Sequence, residues 1–269
     1  MPAKGNGDPD MSEFVHEKVE IDETAATIAA ERRFIAPAVE AIKTARADIE
    51  RQIRKDRFFL TTLEPYEPAV DSSATVMRMC DAARVAGVGP MAAVAGMIAQ
   101  AALEAMTTAG CRHGWVDNGG DIAMIIESPT TIEVFTDPSS QIALAMELEP
   151  TDGTLGICSS SGKLGHSISF GNADIALVMA ESAPLADALA TAIGNRVTDQ
   201  SSLMTSFNPF KGVEGLIGAM AILDGAAAMW GTLPRMVEIA HNPDRITTHS
   251  KMSSERYTGF KGRSQEVRV

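Results

Sequence analysis

The stretch CSSSGKLGHSISFGNADIALVMAESAPLADALATAIGN, residues 158–195, decides how the rest of the chain is read. Ser159, Ser160, Ser161 and Gly162 open it, and a second glycine, Gly165, precedes His166. The apolar run Ala176, Leu177, Val178, Met179, Ala180 has the length of a buried strand. Residues 183–194 then read as a helix, with Pro184 in its first turn and Gly194 at its exit. Asp187 and Thr191 are four residues apart, so they stack on one face of that helix. Two oxygen donors at that spacing suit a hard cation. Taken singly, each has a plainer use: Asp187 as an acid complementing its own helix dipole, Thr191 as a hydroxyl bonded to the preceding turn.

Working outward, residues 14–21 alternate apolar and polar as a half-buried strand does, and 23–29 form a second strand. Residues 37–55 are an amphipathic helix marked by Val39, Ile42, Ile49 and Ile53, and 58–68 an irregular connection closed by Pro65 and Pro68. A helix over 74–86 ends at Gly87-Val88-Gly89-Pro90, which serves either as a phosphate cradle or as a tight turn between crossing helices. The helix that follows, to about Ala109, is slender and alanine-rich, and so predicted to be enclosed. Residues 114–124 read as strand, Gly-Gly turn, strand; 131–136 and 142–148 are strands; 197–210 are helical in part. Residues 215–223 and 226–230 form a hairpin about Asp224-Gly225. The pattern predicts an α+β fold with mixed or antiparallel sheets packed against long helices. Residues 1–12 are expected to be a disordered start, 13–240 the folded domain and 241–269 a loose polar tail.

Of the 269 residues, 45% are hydrophobic, enough for a sizeable core. The net charge of −12 argues against binding nucleic acid or an anionic membrane surface. Cys80, Cys111 and Cys158 form no C-x-x-C pair, which fits a reducing compartment. Cys158 is read as a small buried residue rather than a nucleophile. Residues 85–103 carry no charge but are mostly small and are interrupted by Pro90 and Gln100; they read as a buried loop and helix. The first ten residues hold no apolar stretch and no lipidation cysteine, which predicts a cytoplasmic protein.

Several motifs, in order, resemble the ApbE family of FAD:protein FMN transferases. Trp115-Val116-Asp117-Asn118-Gly119-Gly120-Asp121-Ile122 is similar to that family's strand ending N-A-G-G-D-I, and 186–192 to its D-A-L-A-T-A helix. Ser160-Ser161-Gly162 stands where the family has T-S-G, and Gly165-His166-Ser167-Ile168 where it has Y-S-H-I. The resemblance is closer to the ApbE-like UPF0280 group, whose signature is similar to residues 88–96, the N-G-G-D segment and Ser169-Phe170-Gly171. It covers roughly residues 34–233. There are departures. Gln100 stands at the transferases' lysine position, Asp117 and Asn118 replace Asn and Ala, and His166 lacks the following I-x-D-P.

The resemblance implies an ApbE-like fold, FAD and Mg²⁺ as cofactors, and FMN transfer to a Thr or Ser of an acceptor protein. Asp187, Thr191 and the Asn118 carbonyl would hold the metal. Gly119, Gly120, Asp121, Ser160, Ser161 and Gly162 would line the flavin nucleotide, with Asp121 fixing the turn or meeting a polar edge. His166 would be the general base, set against a plainer reading as a hinge residue. A half-formed metal site of this kind fills only when a pyrophosphate completes it. The alternative is a non-catalytic protein that binds a flavin or another phosphorylated ligand on the same fold. A homodimer is expected from apolar segments near the C-terminus.

Overall fold

The computed structural model describes residues 10–136, 142–161 and 171–240. In chain order these form β1 (Phe14–Ile21), β2 (Thr24–Glu31), α1 (Ile35–Lys55), α2 (Phe58–Thr61), α3 (Ala74–Ala86), α4 (Val94–Thr108), β3 (Gly114–Asp117) and β4 (Asp121–Ile125). Then come β5 (Thr130–Thr136), β6 (Ile142–Leu148), β7 (Leu155–Ser160), β8 (Ile175–Ala180), α5 (Ala183–Arg196), β9 (Leu216–Leu223), β10 (Ala226–Gly231) and β11 (Arg235–Ala240).

One sheet has the order β1-β2-β3-β4-β7-β8-β9-β10, and a smaller one the order β11-β6-β5. Every pairing among the described residues is antiparallel. The fold is α+β, in three layers: helices, large sheet, small sheet.

The large sheet has two unlike faces, and strand alternation produces them. Toward the small sheet it presents Ile122, Met124, Ile157, Leu177, Met179 and Met220, which meet Ile132, Met146 and Leu148. Toward the helices it presents small residues: Ala123, Cys158, Ala176, Ala180, Ala219 and Ala221. Small side chains on this face let α4 and α5 lie close to the strands. Gly156 shows how close, since a Cβ there would fall 2.5 Å from the Ala183 backbone.

The enclosed helix is α4, with Met97, Ile98, Ala99, Gln100, Ala102, Leu103 and Met106 buried. Together with its leading 3₁₀ turn it spans Pro90–Thr108, long and apolar enough to cross a bilayer by length and composition alone. Here α1, α5 and β4 pack against it.

Some local expectations need correction. The connection after α1 contains a short helix, α2. Gly194 does not end its helix, which runs on to Arg196. Residues 197–210 are mostly turns, with one 3₁₀ segment, Asn208–Phe210. Gly87 (φ 71°) caps α3, and a Cβ on Gly89 would strike the Thr62 carbonyl, so this segment is a tight packing turn. The D-G hairpin is as expected, with φ 49° at Asp224 and 77° at Gly225. Met11 O accepts the Arg33 N–H, which ties down the described start of the chain.

Candidate functional site

Strands β3 and β4 are joined by Asn118, Gly119 and Gly120. Gly119 and Gly120 adopt φ of 71° and 101°, a region that side chains strongly disfavour. The Gly120 N–H donates to Asp117 Oδ1 at 2.8 Å, and the Asn118 N–H to the Asp121 carbonyl at 3.0 Å. Asp117, not Asp121, therefore fixes this turn with its side chain. Asn118 Nδ2 donates to the Ala95 carbonyl at 3.1 Å and ties the turn to the start of α4.

Helices α4 and α5 cap each other. Neither has a side-chain cap of its own, from Ala93 or from Ser182. Asp187 of α5 instead accepts the Gly96 N–H on Oδ2 at 2.9 Å, and the Ala95 N–H also bonds to its carboxylate. In return Gln100 of α4 accepts the Ala183 N–H at 3.0 Å. Pro184 has no N–H to satisfy. Gln100 is held in turn by Glu104, whose carboxylate Arg78 grips through two bonds of 2.7 and 2.8 Å. The plainer reading of Asp187 thus had the wrong helix: its carboxylate complements the N-terminus of α4, not that of α5.

Asp121 begins β4 and pairs with Cys158 of β7, both on the helix side of the large sheet. Its Oδ1 is buried and has no hydrogen-bond partner. Burial pushes the Asp121 carboxyl well above the usual range, and the nearby Asp187 charge adds to the effect. Burial likewise pushes Asp187 up to about 7, against the pull of the Gly96 and Ala95 N–H groups. The Cys158 thiol is raised by burial and then by Asp121, and it donates to the Ala183 carbonyl at 3.3 Å. It is a buried neutral thiol with no nucleophilic character.

The structure thus brings Asn118, Gly119, Gly120, Asp121 and Asp187 together where the β3–β4 turn meets the first turns of α4 and α5. Thr191 lies one turn further along α5 and is half-buried. Ser159 Oγ lies 3.4 Å from the Gly120 carbonyl, joining the end of β7 to the turn. Ser160 is buried beside α5, with its Oγ 3.8 Å from the Cβ position of Gly194. Ser161 is half-buried at the strand's exit. Gly162 and His166 lie outside the described residues. Two surface depressions, about 370 Å³ beside Asn172, Asp199 and Asp224 and about 190 Å³ beside Gly87, Ala192 and Arg196, are lined by neither Asp121 nor Asp187. Among the described residues no group of three or more His, Cys, Asp or Glu has the geometry of a metal site.

A family model described as AbpE bacteria matches residues 10–228. A UPF0280 protein of Methanocella arvoryzae is 43% identical over 230 residues, 86% of this chain and 94% of the relative. The chain belongs to the ApbE-like UPF0280 family. A further UPF0280 relative, from Archaeoglobus fulgidus, is 43% identical over 238 residues, 86% of this chain and 97% of the relative. The UPF0280 chain also shares its fold with flavin transferase ApbE from Vibrio cholerae, with a TM-score of 0.54 at 12% identity over 82% of this chain and 97% of that one. The apo flavinyl transferase ApbE of Pseudomonas stutzeri is similar, with a TM-score of 0.53 at 13% identity over 84% and 96%. At such identities these likenesses establish the fold alone.

One functional relationship escaped sequence reasoning: the mutual capping of α4 and α5 through Asp187 and Gln100. Its sequence trace is slight: α4 opens at Ala93, which cannot cap, whereas α5 opens at Ser182, a residue suited to capping that makes no capping bond here.

Proposed function

We propose that this protein binds a flavin nucleotide together with a divalent cation where the β3–β4 turn meets α4 and α5, and transfers FMN from FAD to a hydroxyl of an acceptor protein. The observation that carries the reading is the buried, unpartnered Asp121 Oδ1 and the buried carboxyl of Asp187, side chains that offer oxygen ligands. That donor chemistry fits Mg²⁺, which takes oxygen ligands and keeps several waters. Asp187, Thr191 and the Asn118 carbonyl would hold the ion, which would supply charge neutralisation at a pyrophosphate.

The chain's own residues would do the rest. Gly119 and Gly120 present backbone without side chains, so a pyrophosphate can approach closely. Ser160, which borders α5, and Ser161 and Gly162, which follow it in the chain, would line the nucleotide. His166 would take the proton from the attacking Thr or Ser oxygen. That oxygen bonds to the FMN phosphorus, the pyrophosphate bond breaks, and AMP leaves with the bridging oxygen.

A second reading, ligand binding without transfer, is favoured by Gln100. Its Oε1 is committed to the Ala183 N–H, and it brings no positive charge where the transferases carry lysine. Calorimetry with FAD, with and without Mg²⁺, separates binding from no binding, and release of AMP in the presence of a Thr-containing acceptor separates transfer from binding. Equal FAD affinity with and without Mg²⁺, unchanged in Asp187→Asn, overturns the cation role.

A further inference from the structure

The large sheet ends at β1 and β10, and the small one at β11 and β5. An unpaired edge strand invites pairing with another chain, and charge on the strand is a usual guard against it. β1 carries Glu17, Lys18 and Glu20, and β11 carries Arg235 and Glu238. β5 carries Glu133 and an irregularity in its pairing. β10 reads Ala226-Ala227-Ala228-Met229-Trp230-Gly231, with no charge, no proline and an unbroken register with β9. It is an unguarded edge.

The β9–β10 turn decides which backbone groups of that edge face outward. Asp224 and Gly225 both have positive φ, the two-residue hairpin geometry in which the flanking Leu223 and Ala226 exchange both backbone bonds. By alternation, Ala226, Ala228 and Trp230 direct their N–H and C=O groups to β9, whereas Ala227, Met229 and Gly231 direct theirs away from it. Among the described residues no other strand, loop or turn donates to these outward groups or accepts from them. The same three residues are the exposed ones of the strand, and Met229 is 55% exposed. Its side chain lies on the small-sheet side, opposite Met220. A large apolar side chain thus sits in the middle of a free hydrogen-bonding edge.

We propose that β10 pairs antiparallel with β10 of a second copy of this chain, about a two-fold axis at Met229, so that two eight-stranded sheets become one. The strand is complementary to itself. Met229 is the middle one of the three outward residues, so an axis there sets Met229 against Met229 and Ala227 against Gly231, matching outward donors to outward acceptors. The two Met229 side chains then lie side by side on one face of the joined sheet and leave water together. Charge favours the same partner. Each copy carries −12, so two copies approach closely only where neither presents charge, and β10 is such a place. The proposal is independent of what the β3–β4 turn binds.

The test is sedimentation equilibrium of the full chain at micromolar concentration, beside Met229→Lys and Met229→Glu, each alone and the two mixed in equal amounts. The unmodified protein should show twice the chain mass. Either variant alone sets like charges against each other at the axis and should raise the dissociation constant about tenfold or more. The equal mixture sets lysine against glutamate and should regain the dimer. Met229 is exposed, so the far-ultraviolet circular dichroism of both variants should match that of the parent. An unmodified protein that stays monomeric throughout this range overturns the proposal, and that arm needs no variant to fold. A dimer that both variants keep undiminished puts the interface elsewhere and overturns it as well. Monomeric variants whose mixture also stays monomeric rule out the two-fold pairing at Met229.

Discussion

Asp187 and Gly96, 91 residues apart in the chain, are joined by a 2.9 Å hydrogen bond from the glycine N–H to the aspartate carboxylate. The same residues are also in van der Waals contact, because a Cβ on Gly96 would lie 2.9 Å from Asp187 Cβ and 2.4 Å from the Ala183 carbonyl oxygen. The glycine therefore serves twice: it donates to the carboxylate, and its bare Cα lets the two helices meet.

Gly96→Ala should be among the most damaging small changes in the chain. The added methyl meets backbone at Ala183, which cannot rotate away. Overpacking of this kind costs about 1–3 kcal/mol or more. The urea midpoint should drop accordingly with little change in slope. A midpoint within error of the parent would mean that α4 and α5 can separate freely.

Asp187→Ala and Asp187→Asn should part company in stability. Alanine leaves the Gly96 and Ala95 N–H groups without their acceptor, at about 1–2 kcal/mol by analogy with lost helix caps. Asparagine keeps an acceptor oxygen and should cost less. Both should lose cation uptake, so comparing unfolding curves with Mn²⁺ titrations separates the capping role from the ligand role.

The pH dependence of stability should have an uncommon sign. Asp187 is raised from 3.8 to about 7 by burial, so between those values the folded chain holds a proton that the unfolded chain has released. Stability should therefore fall as pH rises through this window and level off above it. Asp187→Asn should flatten that part of the curve. Saturating Mn²⁺ should flatten it too, because the ion replaces the proton as the counter-charge. A parent protein whose stability rises from pH 4 to 7 by the same amount as Asp187→Asn contradicts the assignment.

Gln100→Lys tests the residue at the position where the transferases carry lysine. The ammonium can pair with Glu104 but cannot accept the Ala183 N–H. The orphaned donor should cost about 1–3 kcal/mol, read as a lower midpoint in thermal or chemical unfolding. An unchanged midpoint would mean that the Ala183 N–H finds another acceptor.

Much of the secondary structure was legible because its signals are local. Alternation marks β1, the Asp224-Gly225 pair marks the β9–β10 turn, and the glycine φ values bear out the Gly-Gly turn after Asn118. Gly194 was misread because a glycine near the end of a helix looks, in sequence, like one that ends it, whereas α5 runs on to Arg196 and a Cβ at Gly194 would meet its neighbours at ordinary contact distances. Its Cβ position faces Ala176 and Ser160 at 3.5–3.9 Å. Asp121 was read as fixing the turn or meeting a ligand's polar edge, and the side chain that fixes the turn is that of Asp117. Two aspartates flank the turn, and only strand pairing decides that Asp121 turns toward the helices opposite Cys158. The mutual capping of α4 and α5 was not legible, because a carboxylate serving a helix far away in the chain leaves no spacing to count.

The small-residue face of the large sheet has a consequence for how such a protein can diversify. Under α4 and α5 the supporting surface is largely main chain and methyl groups, with Gly96, Gly156 and Ala183 touching almost atom to atom. Main chain has no rotamers, so this floor cannot reshape itself around a new ligand by swapping side chains. Changes in what is bound must then come from the rim, from residues on the β3–β4 turn and along the outward turns of α5, while the floor stays the same height. A family built this way can drift far in sequence at the edges and still hold its buried carboxylates in one place.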